Sequence, residues 1–99
     1  QGNIEIILTW FYFNIAKAMG EQINLLYDGD GKKLAADEQY HWDSMEKCLK
    51  KSSAGKIGTN EIKLMRLIVS LDLPLVLKIK DAGEMMPELL YIAKTLNQI

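Results

Sequence analysis

Ala36-Asp-Glu-Gln-Tyr-His-Trp-Asp-Ser-Met-Glu-Lys-Cys-Leu-Lys-Lys-Ser52 is the stretch on which the fold class turns. Its acids Asp37, Glu38 and Asp43 come early, and its lysines Lys47, Lys50 and Lys51 come late. That order complements a helix dipole, with negative side chains near its positive end and positive ones near the other. His41/Trp42, Met45 and Cys48/Leu49 recur at helical spacing and would form the buried stripe. A helix from about residue 36 to residue 52 is the expectation.

Upstream, Tyr27-Asp-Gly-Asp-Gly-Lys-Lys33 reads as a loop, with two glycines, two aspartates and no apolar side chain beyond the tyrosine. Ahead of it lies the most apolar part of the chain, Ile4 to Ala16. Ile4, Leu8, Phe11, Ile15, Ala18/Met19, Gln22/Ile23 and Leu26 recur every three to four residues, and Ile7, Trp10, Phe13 and Lys17 widen that face. Such a helix is apolar over more than half its circumference. It is expected to run through the centre of the core, or to present its surplus face to a partner. A strand over 6–13 is the alternative, since β-branched and aromatic residues dominate there. The apolar run is too short to span a membrane, which takes roughly 20 residues, and Glu5, Asn14 and Lys17 interrupt or bound it. Gln1-Gly2 reads as the remnant of a cleavable tag, leaving residues 3–99 as a single helical domain.

Downstream, Ser52-Ser-Ala-Gly-Lys-Ile-Gly58 breaks the second helix, and Thr59 or Asn60 caps a third that reaches about Ser70. Pro74 suits the first turn of a short fourth helix ending near Gly83, with a strand over 75–80 as the alternative. Pro87 opens the last helix, with Leu89/Leu90, Ala93 and Leu96 inward. The expected fold is all-α, an irregular bundle of four to five short helices around a central apolar N-terminal helix.

The composition narrows function. Apolar residues make up 48% and charged residues 25%, which excludes disordered and low-complexity classes. Twelve basic against thirteen acidic residues leave a formal charge of −1, so no overall field draws the chain to nucleic acid. Lys47, Lys50, Lys51 and Lys56, with Lys63 and Arg66, form a local basic cluster, but no exposed aromatics interleave with it. Nucleic acid is therefore not expected as a partner. The lone cysteine, Cys48, cannot close an internal disulfide, which favours a reducing, cytoplasmic setting.

Two loops invite a calcium reading. With Gly31 at the obligatory turn of an EF-hand loop, Asp28 and Asp30 take the third and fifth positions and Asp37 the twelfth. The first position is then Leu26, which cannot coordinate, and the apolar eighth is Lys33. In the second loop, Gly55, Ile57 and Glu61 stand at the sixth, eighth and twelfth positions, but Lys50, Ser52 and Ala54 replace the early carboxylates. A degenerate helix-loop-helix module with weak or lost calcium binding, on Asp28, Asp30 and Asp37, is the alternative reading. On one helix His41 and Cys48 would lie two turns apart, out of reach for a catalytic pair. No phosphate loop, nucleophile elbow or His-Glu-x-x-His is present. The leading expectation is a non-catalytic protein-interaction domain without cofactor, binding a protein partner or itself. Its contact is expected on the Ile6–Trp10–Phe13 side of the first helix, with Trp10 as anchor.

Overall fold

The computed structural model describes residues 2–80 and 82–98, with side chains from residue 4 onward. Reading Gln1-Gly2 as a tag remnant rests on Gln1, which lies outside the described residues. In chain order the elements are α1 (Gly2–Ala18), β1 (Tyr40–Asp43), β2 (Cys48–Lys51), α2 (Thr59–Ser70), α3 (Leu73–Val76) and α4 (Met86–Leu96). The fold is therefore mixed. Among the described residues, four helices accompany a two-stranded antiparallel hairpin, which corrects the all-α expectation.

The hairpin replaces the helix expected over residues 36–52. Tyr40 pairs with Lys51, His41 with Lys50, Trp42 with Leu49, and Asp43 with Cys48. Tyr40, Trp42 and Leu49 are buried, while His41 between them is exposed, the period-two alternation of a half-buried strand. The turn explains the change of structure. The Asp43 carboxylate accepts from the Met45 and Glu46 amides at 3.0 and 2.9 Å, a local bond that competes with helical pairing. Lys47 then takes φ of 56°, a left-handed conformation that lets the chain turn back into β2. The charge order that suited a helix dipole instead pairs acid with lysine within the hairpin and its approach. Lys50 meets Asp43 at 3.2 Å and Glu46 at 3.1 Å, and Lys51 meets Glu38 at 3.3 Å.

The Glu46 amide, then the Lys50 ammonium, hold the Asp43 carboxyl below the usual aspartate range. A depressed folded-state value means the charged turn favours the fold above the unfolded value, about pH 4, and that contribution fades as pH falls through the lower folded value. The Met45 and Glu46 amide resonances should therefore stay native-like at about pH 4 and shift only in stronger acid. Titration of both at the ordinary aspartate value would contradict this, and Asp43→Asn should abolish the acid step.

Two-stranded hairpins are marginal alone. Here both edges are supported. Tyr40 exchanges two backbone hydrogen bonds with Ile57, at 2.8 and 3.0 Å, and the Gly29 amide donates to the Leu49 carbonyl at 2.8 Å. Two side chains then pin the hairpin to α4. The buried indole Nε1–H of Trp42 donates to Thr95 Oγ1 at 2.7 Å, and that hydroxyl donates to the Ile92 carbonyl at 2.9 Å. Lys47 Nζ donates to the carbonyls of Leu96, at 3.1 Å, and Gln98, and pairs with Glu21 at 3.3 Å. A cation at a helix C-terminus satisfies carbonyls that have no partner within the helix.

α1 stops well before Leu26. The Glu21 amide reaches back to the Ala16 carbonyl at 2.7 Å and the Gly20 amide to Lys17 at 3.2 Å, with Gly20 at φ 81°. This is the glycine-terminated Schellman end. α1 packs mainly along α4 and also touches α2 and α3. It lies on one side of the core rather than through its centre, because half its girth faces solvent.

The remaining helices start near their signals, although Gly58, not the expected Thr59 or Asn60, is the N-cap of α2. The Gly58 amide donates to the Glu61 carboxylate at 2.9 Å at the head of α2, and Pro74 and Pro87 stand in the first turns of α3 and α4. α3 ends at Val76, short of Gly83, and no strand forms over 75–80. Leu89, Ala93 and Leu96 of α4 are buried, as their spacing predicts.

Candidate interaction surface

The outward half of α1 is the largest departure from an ordinary surface helix. Ile6, Thr9, Phe13 and Ala16 are its buried residues, at the four-three spacing of one face. The small side chains of Thr9 and Ala16 let this face lie close against its neighbours. Thr9 is buried without cost to its hydroxyl, which donates to the Glu5 carbonyl at 2.7 Å. On the opposite face stand Ile4, Ile7 and Phe11, exposed by 62%, 39% and 51%, with the half-buried Leu8 and Ile15 between them. Ala18 at the helix end and Met19 just beyond it continue the face, both exposed. No charged residue stands on this face. A surface helix normally carries its polar residues there.

The contact side expected from sequence is placed otherwise. Ile6 and Phe13 are only 7% and 2% exposed and belong to the chain's own core, so they offer no docking surface. Trp10 sits on the flank, half-buried, and its Nε1–H donates to the Leu71 carbonyl at 2.9 Å, tying α1 to the end of α2. The free face is Ile4–Ile7–Phe11, roughly half a turn around the helix. Periodicity could not separate the two faces, because both are apolar. The one distinguishing signal was side-chain size at Thr9 and Ala16.

Of the aspartates of the calcium reading, Asp28 is engaged within its own loop. Asp28 Oδ1 accepts from the amides of Asp30 and Lys32, at 2.8 and 3.0 Å, folding the loop into a turn with Gly31 at φ 81°. Asp28 is buried, while Asp30 and Asp37 are exposed. Among the described residues, no three His, Cys, Asp or Glu side chains gather into a possible metal site. Gly55, which matched the turn glycine of the second loop, serves packing. A Cβ there would lie 2.1 Å from the Tyr40 carbonyl oxygen.

The hairpin brings His41 and Cys48 closer than a helix would. On facing strands, with pairs His41–Lys50 and Asp43–Cys48, they are diagonal neighbours on one face. Burial, then the Glu46 carboxylate, push the Cys48 thiol up, which keeps it protonated and a poor nucleophile near neutral pH. The basic cluster is largely spent as well. Lys47, Lys50 and Lys51 are ion-paired, and Arg66 donates from two nitrogens to the Leu25 carbonyl at 3.3 and 2.7 Å. No described helix is long and apolar enough to cross a membrane. Comparison of the chain with family models, with curated proteins and with solved structures finds no match.

Proposed function

We propose that this chain is a small non-catalytic interaction domain that docks a protein partner through the outward face of α1. The observation that carries the reading is the row Ile4, Ile7 and Phe11, apolar and exposed on the side of the helix away from the core. Contiguous apolar surface of this kind marks interfaces in soluble domains. Phe11 is its largest side chain and the best candidate anchor, standing edge-on to Tyr12 with ring centroids 6.0 Å apart. The engaged lysines favour a protein over nucleic acid, and the lone protonated thiol fits a reducing, cytoplasmic setting.

Charge on either face separates docking surface from core. Phe11→Glu and Ile7→Glu should leave the thermal midpoint within a few degrees while abolishing fluorescence of an apolar dye bound to the folded chain. Phe13→Ala, on the buried face, should cost about 3–5 kcal/mol. If Phe11→Glu unfolds the domain, or dye binding persists in both charged variants, the outward face of α1 is not a docking surface.

A further inference from the structure

Ile4, Leu8, Phe11, Ile15 and Ala18 are separated by four, three, four and three residues. That is the spacing of a two-stranded coiled-coil seam, in which each side chain inserts between side chains of a facing helix. All five lie on the side of α1 away from Ile6, Thr9, Phe13 and Ala16, with Ile4, Phe11 and Ala18 exposed and Leu8 and Ile15 half-buried. Ile7 and Asn14 flank it on one side, and Glu5, Tyr12 and Met19 on the other. Asn14 is occupied within its own helix, where its Nδ2 donates to the Trp10 carbonyl at 2.8 Å. Among the described residues, Glu5 is thus the only charged side chain beside the seam.

From these observations, and resting on the docking role proposed for this face, we infer that the partner is a second copy of the same chain, its α1 laid lengthwise on the first. A seam without charge gives a foreign helix nothing specific to recognise and gives a second copy nothing to repel. A formal charge of −1 on the whole chain leaves little repulsion between copies. The helix is already folded by its packing on α4, so pairing does not have to order it. The available area sets the strength. Fifteen residues of helix are about 22 Å long and 10–12 Å wide, a strip on the order of 250 Å² per copy. A stable complex uses about 800 Å² per partner. The pair is therefore weak and dependent on concentration.

Sedimentation equilibrium of the full chain from about 10 μM to 1 mM tests this. The average mass is expected to climb toward that of two chains across the range. Phe11→Glu, and separately Ile4→Lys, should weaken association at least about tenfold while retaining the native circular dichroism spectrum. Met45→Glu, which changes an apolar residue 90% exposed at the hairpin turn, should leave it unchanged. A chain that stays monomeric at 1 mM yet binds apolar dye through α1 overturns the second copy and leaves the docking role standing. A dimer indifferent to both α1 substitutions, or broken by Met45→Glu, also overturns it. If both α1 variants lose their fold, the inference and the docking role fall together.

Discussion

Trp42→Ala is expected to cost about 3–5 kcal/mol, a large share of the 5–15 kcal/mol that holds a domain of this size. Trp42 is the hairpin's main attachment to α4. Its ring is buried, and its N–H supplies the buried hydrogen bond to Thr95. The two contributions can be separated. Trp42→Phe retains most of the apolar volume and loses the hydrogen bond, so it should cost clearly less. Thr95→Val removes the acceptor and strands the indole N–H in a dry site, at about 1–3 kcal/mol. Because the two residues share one bond, Trp42→Phe combined with Thr95→Val should be milder than the sum of the single changes. Urea melts of the four variants decide the matter. A cost under about 1 kcal/mol for Trp42→Ala would mean that the hairpin is not docked as described.

Gly55→Ala is the second large effect, and it comes from backbone rather than from side chains. A methyl group there would meet the Tyr40 carbonyl oxygen at 2.1 Å, its carbon at 2.4 Å and its nitrogen at 2.9 Å. Backbone cannot rotate aside as a side chain can. The loop over 52–57 would have to withdraw, breaking the paired hydrogen bonds between Tyr40 and Ile57 that support β1. A loss of about 2 kcal/mol or more is expected, since each net hydrogen bond is worth roughly 1 kcal/mol and Ile57 would lose burial besides. Gly31→Ala is the useful contrast. Nothing lies within 4 Å of its added methyl, so only the left-handed φ resists, at about 1 kcal/mol. Equal effects at the two positions would refute the close approach at Gly55.

The sequence is most legible where local signals and tertiary packing agree. Pro74 and Pro87 mark true helix starts, and Leu89, Ala93 and Leu96 face inward as their spacing requires. It is least legible over 36–52, where two structures compete for the same residues. Acids before lysines suit a helix dipole, and they equally suit pairing within a hairpin. What tips the balance is Asp43 capturing the Met45 and Glu46 amides, together with a lysine at 47 in a conformation that lysine seldom adopts. No side-chain pattern announces the latter. Gly20 did announce the end of α1, but the apolar spacing continuing to Leu26 overrides it in a reading by periodicity. Those later residues serve a different purpose, with Ile23 and Leu25 buried after the chain has turned.

For the candidate surface the limit was of another kind. α1 is apolar on two opposite faces, and hydrophobicity cannot say which half of such a helix is inside. The fold chooses the half with Thr9 and Ala16, because small residues permit close packing, and leaves the regular four-three row of larger side chains outside. Both faces keep helical spacing, so periodicity alone does not pick out the free one.

The two pins on α4 also bear on the order in which the molecule is made. Trp42 waits for Thr95, 53 residues later, and Lys47 for Leu96 and Gln98, 49 and 51 residues later. On the ribosome, the hairpin and the outward-facing α1 emerge long before the segment that buttresses both. Contacts closing such long loops slow folding, and during that interval the apolar N-terminal helix is exposed on both faces. Synthesis of α4 is therefore the step that lets the hairpin dock and α1 cover its inner face.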